Sequence, residues 1–192
     1  MISLDERSIL QIDQEGRLIE QLRLRNMGVF ELFYKAYRPK LRGFILNIIA
    51  SEQVVDEVFD DVMMVVWNKI NDFQGRSKLS TWIYGIAYRR ALKERNKRTD
   101  VEYTDQIEEP EVEESEASRP FEAIHAKSRL DAALGKLSTD QGTVIRLAYF
   151  EGLNYKEIGA IMECPEDTVK TRMFHGRKKL KRALGGSLAD WV

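Results

Sequence analysis

Residues 67–98 read WNKINDFQGRSKLSTWIYGIAYRRALKERNKR, and the reading of this stretch decides the fold. The spacing predicts the end of one helix and a polar loop over Asn71 to Lys78. A second helix then starts at about Leu79, carries Trp82, Tyr84 and Tyr88, and finishes in a basic run. Between Gln74 and Arg98 stand eight Lys or Arg and one acid, Glu94, and Arg89, Lys93 and Lys97 fall on one i, i+4 row. Such cations track phosphates, while aromatic faces and small polar side chains hold an unstacked base. The same residues also fit a plainer arrangement, a core stripe of Leu79, Trp82, Ile83, Ile86 and Leu92 under a solvated basic face. The flanking sequence decides between the two.

Upstream, residues 8–25 have the spacing of an amphipathic packing helix, with Ile9, Ile12, Leu18, Ile19 and Leu22 on one face. From Val29 a core helix carries Phe30, Phe33, Tyr34, Tyr37, Leu41, Phe44, Ile45 and Ile48, and Pro39 is expected to kink or interrupt it. The next helix, Glu52 to Ile70, places Val55, Val58, Phe59, Val62, Met63, Val66 and Ile70 on one side. Asp56, Glu57, Asp60 and Asp61 occupy an arc of roughly 140° on the other. Four carboxylates on an open helix face are either an ordinary solvated surface or a docking surface whose like charges a basic partner neutralises. No His or glycine-rich loop accompanies them, so acid-base or metal chemistry has no partner groups here.

The 192 residues carry a net charge of −1, unevenly distributed. Residues 1–98 hold 17 bases and 13 acids, residues 99–119 one base and nine acids, and residues 120–192 twelve bases and nine acids. Two mildly basic modules thus flank an acidic connector, TDVEYTDQIEEPEVEESEASR, whose composition predicts an extended linker. It serves either as a passive tether or as a nucleic-acid mimic for a basic channel. One cysteine, Cys164, excludes a disulfide framework, and with two distant histidines, His125 and His175, it makes no zinc set. Neither a signal segment nor an apolar run of membrane-spanning length is present, so a reducing cytoplasm and no membrane insertion are expected.

The second module is expected over 121–186, with a tail at 187–192. A helix around Ala123 to Leu137 precedes Ser138, which with Gln141 forms a capping box for a helix to about Phe150. Asn154 with Glu157 caps a short helix, NYKEIGAIM. After Glu163 and Cys164, Pro165 is expected at a first helical position, with Glu166 and Asp167 at the positive end of the final helix, Asp167 to about Leu184. Short helix, tight turn and basic helix make a helix-turn-helix, whose second helix enters the major groove. Glu166, Asp167, Thr168, Lys170, Thr171, Arg172 and His175 are then candidates for base edges and nearby phosphates, with Arg177, Lys178, Lys179 and Lys181 on the backbone. Glu166 and Asp167 serve equally well as helix-dipole partners.

DEVFDDVMMVVWNKI and FQGRSKLSTWIYGIA, followed by LSTDQGTVIRLAYFEGLNYKEIGAIMECPEDTVKTRMFHGRKKL, resemble the bacterial RNA polymerase sigma factors of the minimal extracytoplasmic-function class, with regions two and four only. The resemblance covers roughly residues 28–98 and 123–184. It implies an all-α protein of two helical domains: region two over 1–98, a linker over 99–120, and region four over 121–186. Asp56, Glu57, Asp60 and Asp61 are implied to contact the basic clamp helices of the polymerase largest subunit, although Asp60 stands where the family commonly has Gln. Asn71, Gln74, Arg76, Ser77, Lys78, Ser80, Thr81, Trp82, Tyr88, Arg89, Lys93 and Lys97 are implied to hold the single strand of the minus-ten element. Glu166, Asp167, Thr168, Lys170, Thr171, Arg172, His175, Arg177 and Lys178 are implied to read the minus-thirty-five element. The implied partners are core RNA polymerase, promoter DNA and an anti-sigma factor, with no cofactor and no enzymatic activity. The second module also resembles response-regulator helix-turn-helices, but the first half lacks the alternating strand and helix pattern of a receiver.

Overall fold

A computed structural model of the chain describes residues 4–102, 130 and 132–184. Among them every regular element is helical: α1 (Leu4–Arg23), α2 (Met27–Ile49), α3 (Glu52–Lys69) with a 3₁₀ turn (Ile70–Asp72), α4 (Leu79–Glu102), α5 (Thr139–Tyr149), α6 (Tyr155–Met162) and α7 (Glu166–Leu184). The chain divides into two compact units, Met1–Glu94 and Arg95–Val192, as an all-α, two-domain chain should. The acidic segment 103–120, most of the helix expected around 123–137 with His125, and the tail 187–192 lie outside the described residues.

In the first unit α2 and α3 form an antiparallel hairpin. Phe30 meets Trp67, Tyr34 meets Asp60 and Arg42 meets Glu52, so pairing runs outward from the two-residue connection. Ala50 closes α2 in the left-handed region at φ 56°, its N–H donating to the Leu46 carbonyl at 2.8 Å. The apolar stripes read from sequence do interlock: Phe33, Leu41, Phe44, Ile45 and Ile48 are buried with Val55, Val58, Phe59, Val62, Met63 and Val66. From α4, Ile83, Tyr84, Ala87 and Ala91 are buried too, and the Tyr84 ring meets Phe44 edge-on at 5.0 Å.

Two expectations fail here. Pro39 does not interrupt α2, which runs unbroken from Met27 to Ile49. It lies on the exposed face, where the carbonyl freed by the missing N–H is open to solvent. The basic helix does not stop at Arg98 but continues to Glu102, so the acidic segment begins helical.

In the second unit the two capping boxes form as expected. The Ser138 hydroxyl accepts from the Gln141 amide, and Asn154 and Glu157 exchange reciprocal 2.9 Å bonds. Val144, Ile145, Leu147, Ile158, Ile161, Val169, Met173 and Leu180 form its core. Pro165 sits one position earlier than expected: α7 starts at Glu166, and the Pro165 carbonyl accepts from Thr168 and Val169. The turn into α7 leaves no room beside Gly159, where a Cβ would lie 2.8 Å from the Cys164 carbonyl oxygen.

Candidate nucleic-acid and polymerase interfaces

The loop of the opening stretch is shorter than its polarity suggests. Ile70–Asp72 wind into a 3₁₀ turn and Phe73 is buried, leaving Gln74, Gly75, Arg76, Ser77 and Lys78 as an exposed segment. Gly75 takes φ +68°, which glycine tolerates without strain. Trp82 rests on Phe73 with ring centroids 5.3 Å apart and stays partly exposed. Beside it opens a groove lined by Val65, Lys69, Asp72, Trp82, Ile86, Arg89, Arg90 and Lys93. Four cations, one acid and an indole around an open cleft suit a single-stranded phosphate backbone with a base against the aromatic face.

Of the residues expected to touch the strand, Asn71, Gln74, Arg76, Ser77, Lys78, Arg89, Lys93 and Lys97 are exposed, and Ser80 and Trp82 are half-buried. Thr81 and Tyr88, expected in the same set, are buried, at only 5% and 7% exposed. They are buried together with Ile83, Tyr84 and Ala87, while Trp82 and Leu92 of the expected core stripe are half-buried and Arg89, Lys93 and Lys97 of the basic row are exposed. Lys69 and Arg90 line the groove although the sequence reading omitted them. Their place on the cleft depends on how α3 meets α4, and no local period encodes that.

The four carboxylates of α3 do share an outward face, but they are not equivalent. Asp56 lies 3.3 Å from Arg38 and 3.4 Å from Arg42, Asp61 lies 3.4 Å from Arg90, and Asp60 accepts a 2.6 Å hydrogen bond from the Tyr34 hydroxyl. That bond raises the Tyr34 phenol above its ordinary value near 10.0. Glu57 is exposed and makes no hydrogen bond or ion pair among the described residues. Internal cations thus explain how adjacent carboxylates coexist. All three ion pairs are open to solvent, so exchanging their cations for those of a partner costs little.

On α7, Lys170, Thr171, His175, Arg177 and Lys178 are exposed. Lys170 lies 3.1 Å from Asp167 and 3.2 Å from Glu166, which raise its ammonium pKa, so the acids serve this lysine as well as the helix dipole. Arg172 differs from its neighbours. Its guanidinium pairs with Asp140 of α5 at 2.6 Å and reaches the Cys164 sulfur at 3.4 Å, which makes it a strut between helices. Phe174 was missed. It is 63% exposed and shares with Lys170, Arg177, Lys178 and Lys181 the lining of an open apolar cleft on the outer face. The buried positions Val169, Met173, Gly176 and Leu180 would have placed it there from sequence alone.

Two family models match the chain. The family model for sigma-70 region 2 matches residues 33–100, and that for sigma-70 region 4 matches residues 127–180. The chain belongs to the sigma-70 family. Its two regions are those of the extracytoplasmic-function class, and curated relatives of that class align along most of its length. The chain is 29% identical over 150 residues to the ECF RNA polymerase sigma factor RpoE of Cereibacter sphaeroides, covering 78% of this chain and 82% of that one. It is 27% identical over 188 residues to the RNA polymerase sigma-H factor of Pseudomonas aeruginosa, covering 92% and 96%. Among solved structures, the fold is shared with the sigma factor RpoE of Bartonella quintana in complex with the anti-sigma factor NepR, at TM-score 0.61 and 23% identity over 81% of this chain and 96% of that one. It is shared equally with CnrH in complex with the cytosolic domain of CnrY, at TM-score 0.61 and 20% identity over 89% and 97%. Sigma factors of this class bind RNA polymerase and direct promoter-specific transcription initiation; they are initiation factors, not enzymes. Among the described residues of this sigma factor, no helix is long and apolar enough to cross a membrane, and no group of His, Cys, Asp or Glu forms a metal set.

Proposed function

We propose that this sigma factor recognises a two-part promoter and opens it by capturing the non-template strand of the minus-ten element in the groove beside Trp82. The observation that carries this reading is the groove itself, in which Lys69, Arg89, Arg90 and Lys93 surround a half-buried indole next to the exposed segment Gln74–Lys78. Stacking of a base on an aromatic face contributes about 1–3 kcal/mol, and extruding a base costs a few kcal/mol. A surface that binds single strand better than duplex therefore shifts the equilibrium toward the open form. Asn71, Ser80 and Lys97 are further polar and basic contacts to the strand in this reading.

In the same reading Glu57, with Asp56, Asp60 and Asp61, docks on basic clamp helices of the polymerase largest subunit. The outer face of α7 reads the minus-thirty-five element: Lys170, Thr171 and His175 reach base edges and Phe174 offers apolar contact to a thymine methyl. Arg177 and Lys178 contact phosphates, and Thr168 with the acids Glu166 and Asp167 lies at the helix start that enters the groove. The acidic segment 103–120 threads a basic channel of the polymerase. An anti-sigma factor is a further partner in this reading, supported by the fold neighbour named as a complex with the anti-sigma factor NepR. The site of action is the cytoplasm.

Permanganate footprinting with purified core polymerase tests the melting step. Thymines near the minus-ten element are expected to become reactive with the wild-type protein and to lose most of that reactivity when Arg89 and Lys93 are both replaced by Ala. Undiminished reactivity would move strand capture away from this groove.

A further inference from the structure

The loop that presents Gln74–Lys78 is held at its ends by a helix far away in sequence. At the exit, the Leu79 N–H, first of α4, donates to the Glu15 carboxylate of α1 at 2.5 Å. Helix α4 opens after Lys78, whose carbonyl accepts from Trp82, and a lysine side chain has no oxygen to offer the free N–H groups behind it. Glu15 supplies that acceptor and places a negative charge at the positive end of α4. At the opposite end, the Arg23 guanidinium donates to the Phe73 carbonyl at 2.7 Å. Arg25, in the left-handed region at φ 58°, donates to the carbonyls of Trp67 and Asn68 and lies 5.0 Å from the Trp67 ring centre. Glu15 and Arg23 stand about 12 Å apart along α1, so one rigid helix fixes both ends of the loop.

We propose that Glu15 and Arg23 are positioning residues for single-strand capture, with α1 acting as a brace that fixes Phe73 relative to Leu79 and so presets Gln74–Lys78 and Trp82. This rests on the melting function proposed above. A preset loop gives up less conformational freedom when the strand binds, so the brace acts on promoter opening and not on polymerase docking.

The test uses the full chain with core polymerase. Glu15→Ala is expected to speed amide exchange at Leu79 in the protein alone and to lower promoter opening by permanganate about five- to tenfold, with core affinity unchanged within about twofold. Glu15→Gln keeps an oxygen acceptor and is expected to restore most of the opening; Arg23→Ala is expected to repeat the opening defect. Unchanged opening in Glu15→Ala, an equal defect in Glu15→Gln, or a parallel loss of core affinity would each overturn the proposal. A wild-type protein that opens no promoter would remove the melting function and the positioning role with it, an outcome recognisable because Leu79 exchange still responds to Glu15→Ala.

Discussion

At the scale of single residues, Tyr34 and Lys170 show how partners divide an apparently uniform surface. The Tyr34 hydroxyl donates to Asp60, and the carboxylate disfavours the phenolate. Because the folded phenol titrates above its unfolded value, the stability it contributes is present below the ordinary tyrosine pKa and is lost as pH rises through the raised value. Absorbance titration of wild type against Tyr34→Phe is therefore expected to show that the missing phenol ionises above the ordinary tyrosine value. On α7, Lys170→Ala should weaken duplex binding by about 1–3 kcal/mol if the ammonium reaches a base edge, with relaxed preference at one position. Lys178→Ala should weaken all sequences alike and reduce the salt slope by about one, as expected of a phosphate contact. Salt-dependent binding isotherms on matched and mismatched duplexes separate the two cases.

At the scale of elements, the helix-turn-helix depends on one close approach and one strut. Gly159→Ala would drive a Cβ to 2.8 Å from the Cys164 carbonyl, a backbone atom fixed by its own hydrogen-bonded turn. A loss of about 1–3 kcal/mol in unfolding free energy is expected, measured on the full chain through the transition of its second unit. Arg172→Ala frees Asp140 and should act through stability more than through base preference, since the pair spans α5 and α7 and only 27% of the arginine side chain is exposed. Local signals were legible here from sequence: both capping boxes and the turn after Glu163 follow from spacing within one or two turns, whereas the buried stripe of α7, equally local, was not read and Phe174 was missed with it. What else stayed hidden required two elements at once. The Arg172 strut, the inward turn of Thr81 and Tyr88, and the anchoring of Leu79 by Glu15 depend on which face of a helix meets a neighbour many residues away. The interruption expected at Pro39 does not occur, because a proline on a solvent-exposed face leaves its freed carbonyl open to water and need not end a helix.

At the scale of the whole molecule, charge is partitioned within the first unit. The acidic face of α3 and the basic groove beside α4 lie in one unit, joined by the exposed Asp61–Arg90 pair. Reversing the charge at Glu57 and Asp61 together should reduce core polymerase affinity by about tenfold or more, because like charges would meet at the docking face. Duplex binding through α7 should be unaffected. Polarisation assays with labelled core and with labelled duplex check the two halves of that expectation.

This sigma factor is expected to confer two-part promoter selectivity on core polymerase. Run-off transcription from a pool of genomic fragments, with purified bacterial core polymerase and with or without the protein, followed by sequencing of transcript starts, tests it most directly. Discrete starts that depend on the protein and share two spaced upstream motifs are the expected result. DNA binding by the protein alone without any stimulated start would contradict it, and would leave the carboxylates of α3 as an ordinary solvated face.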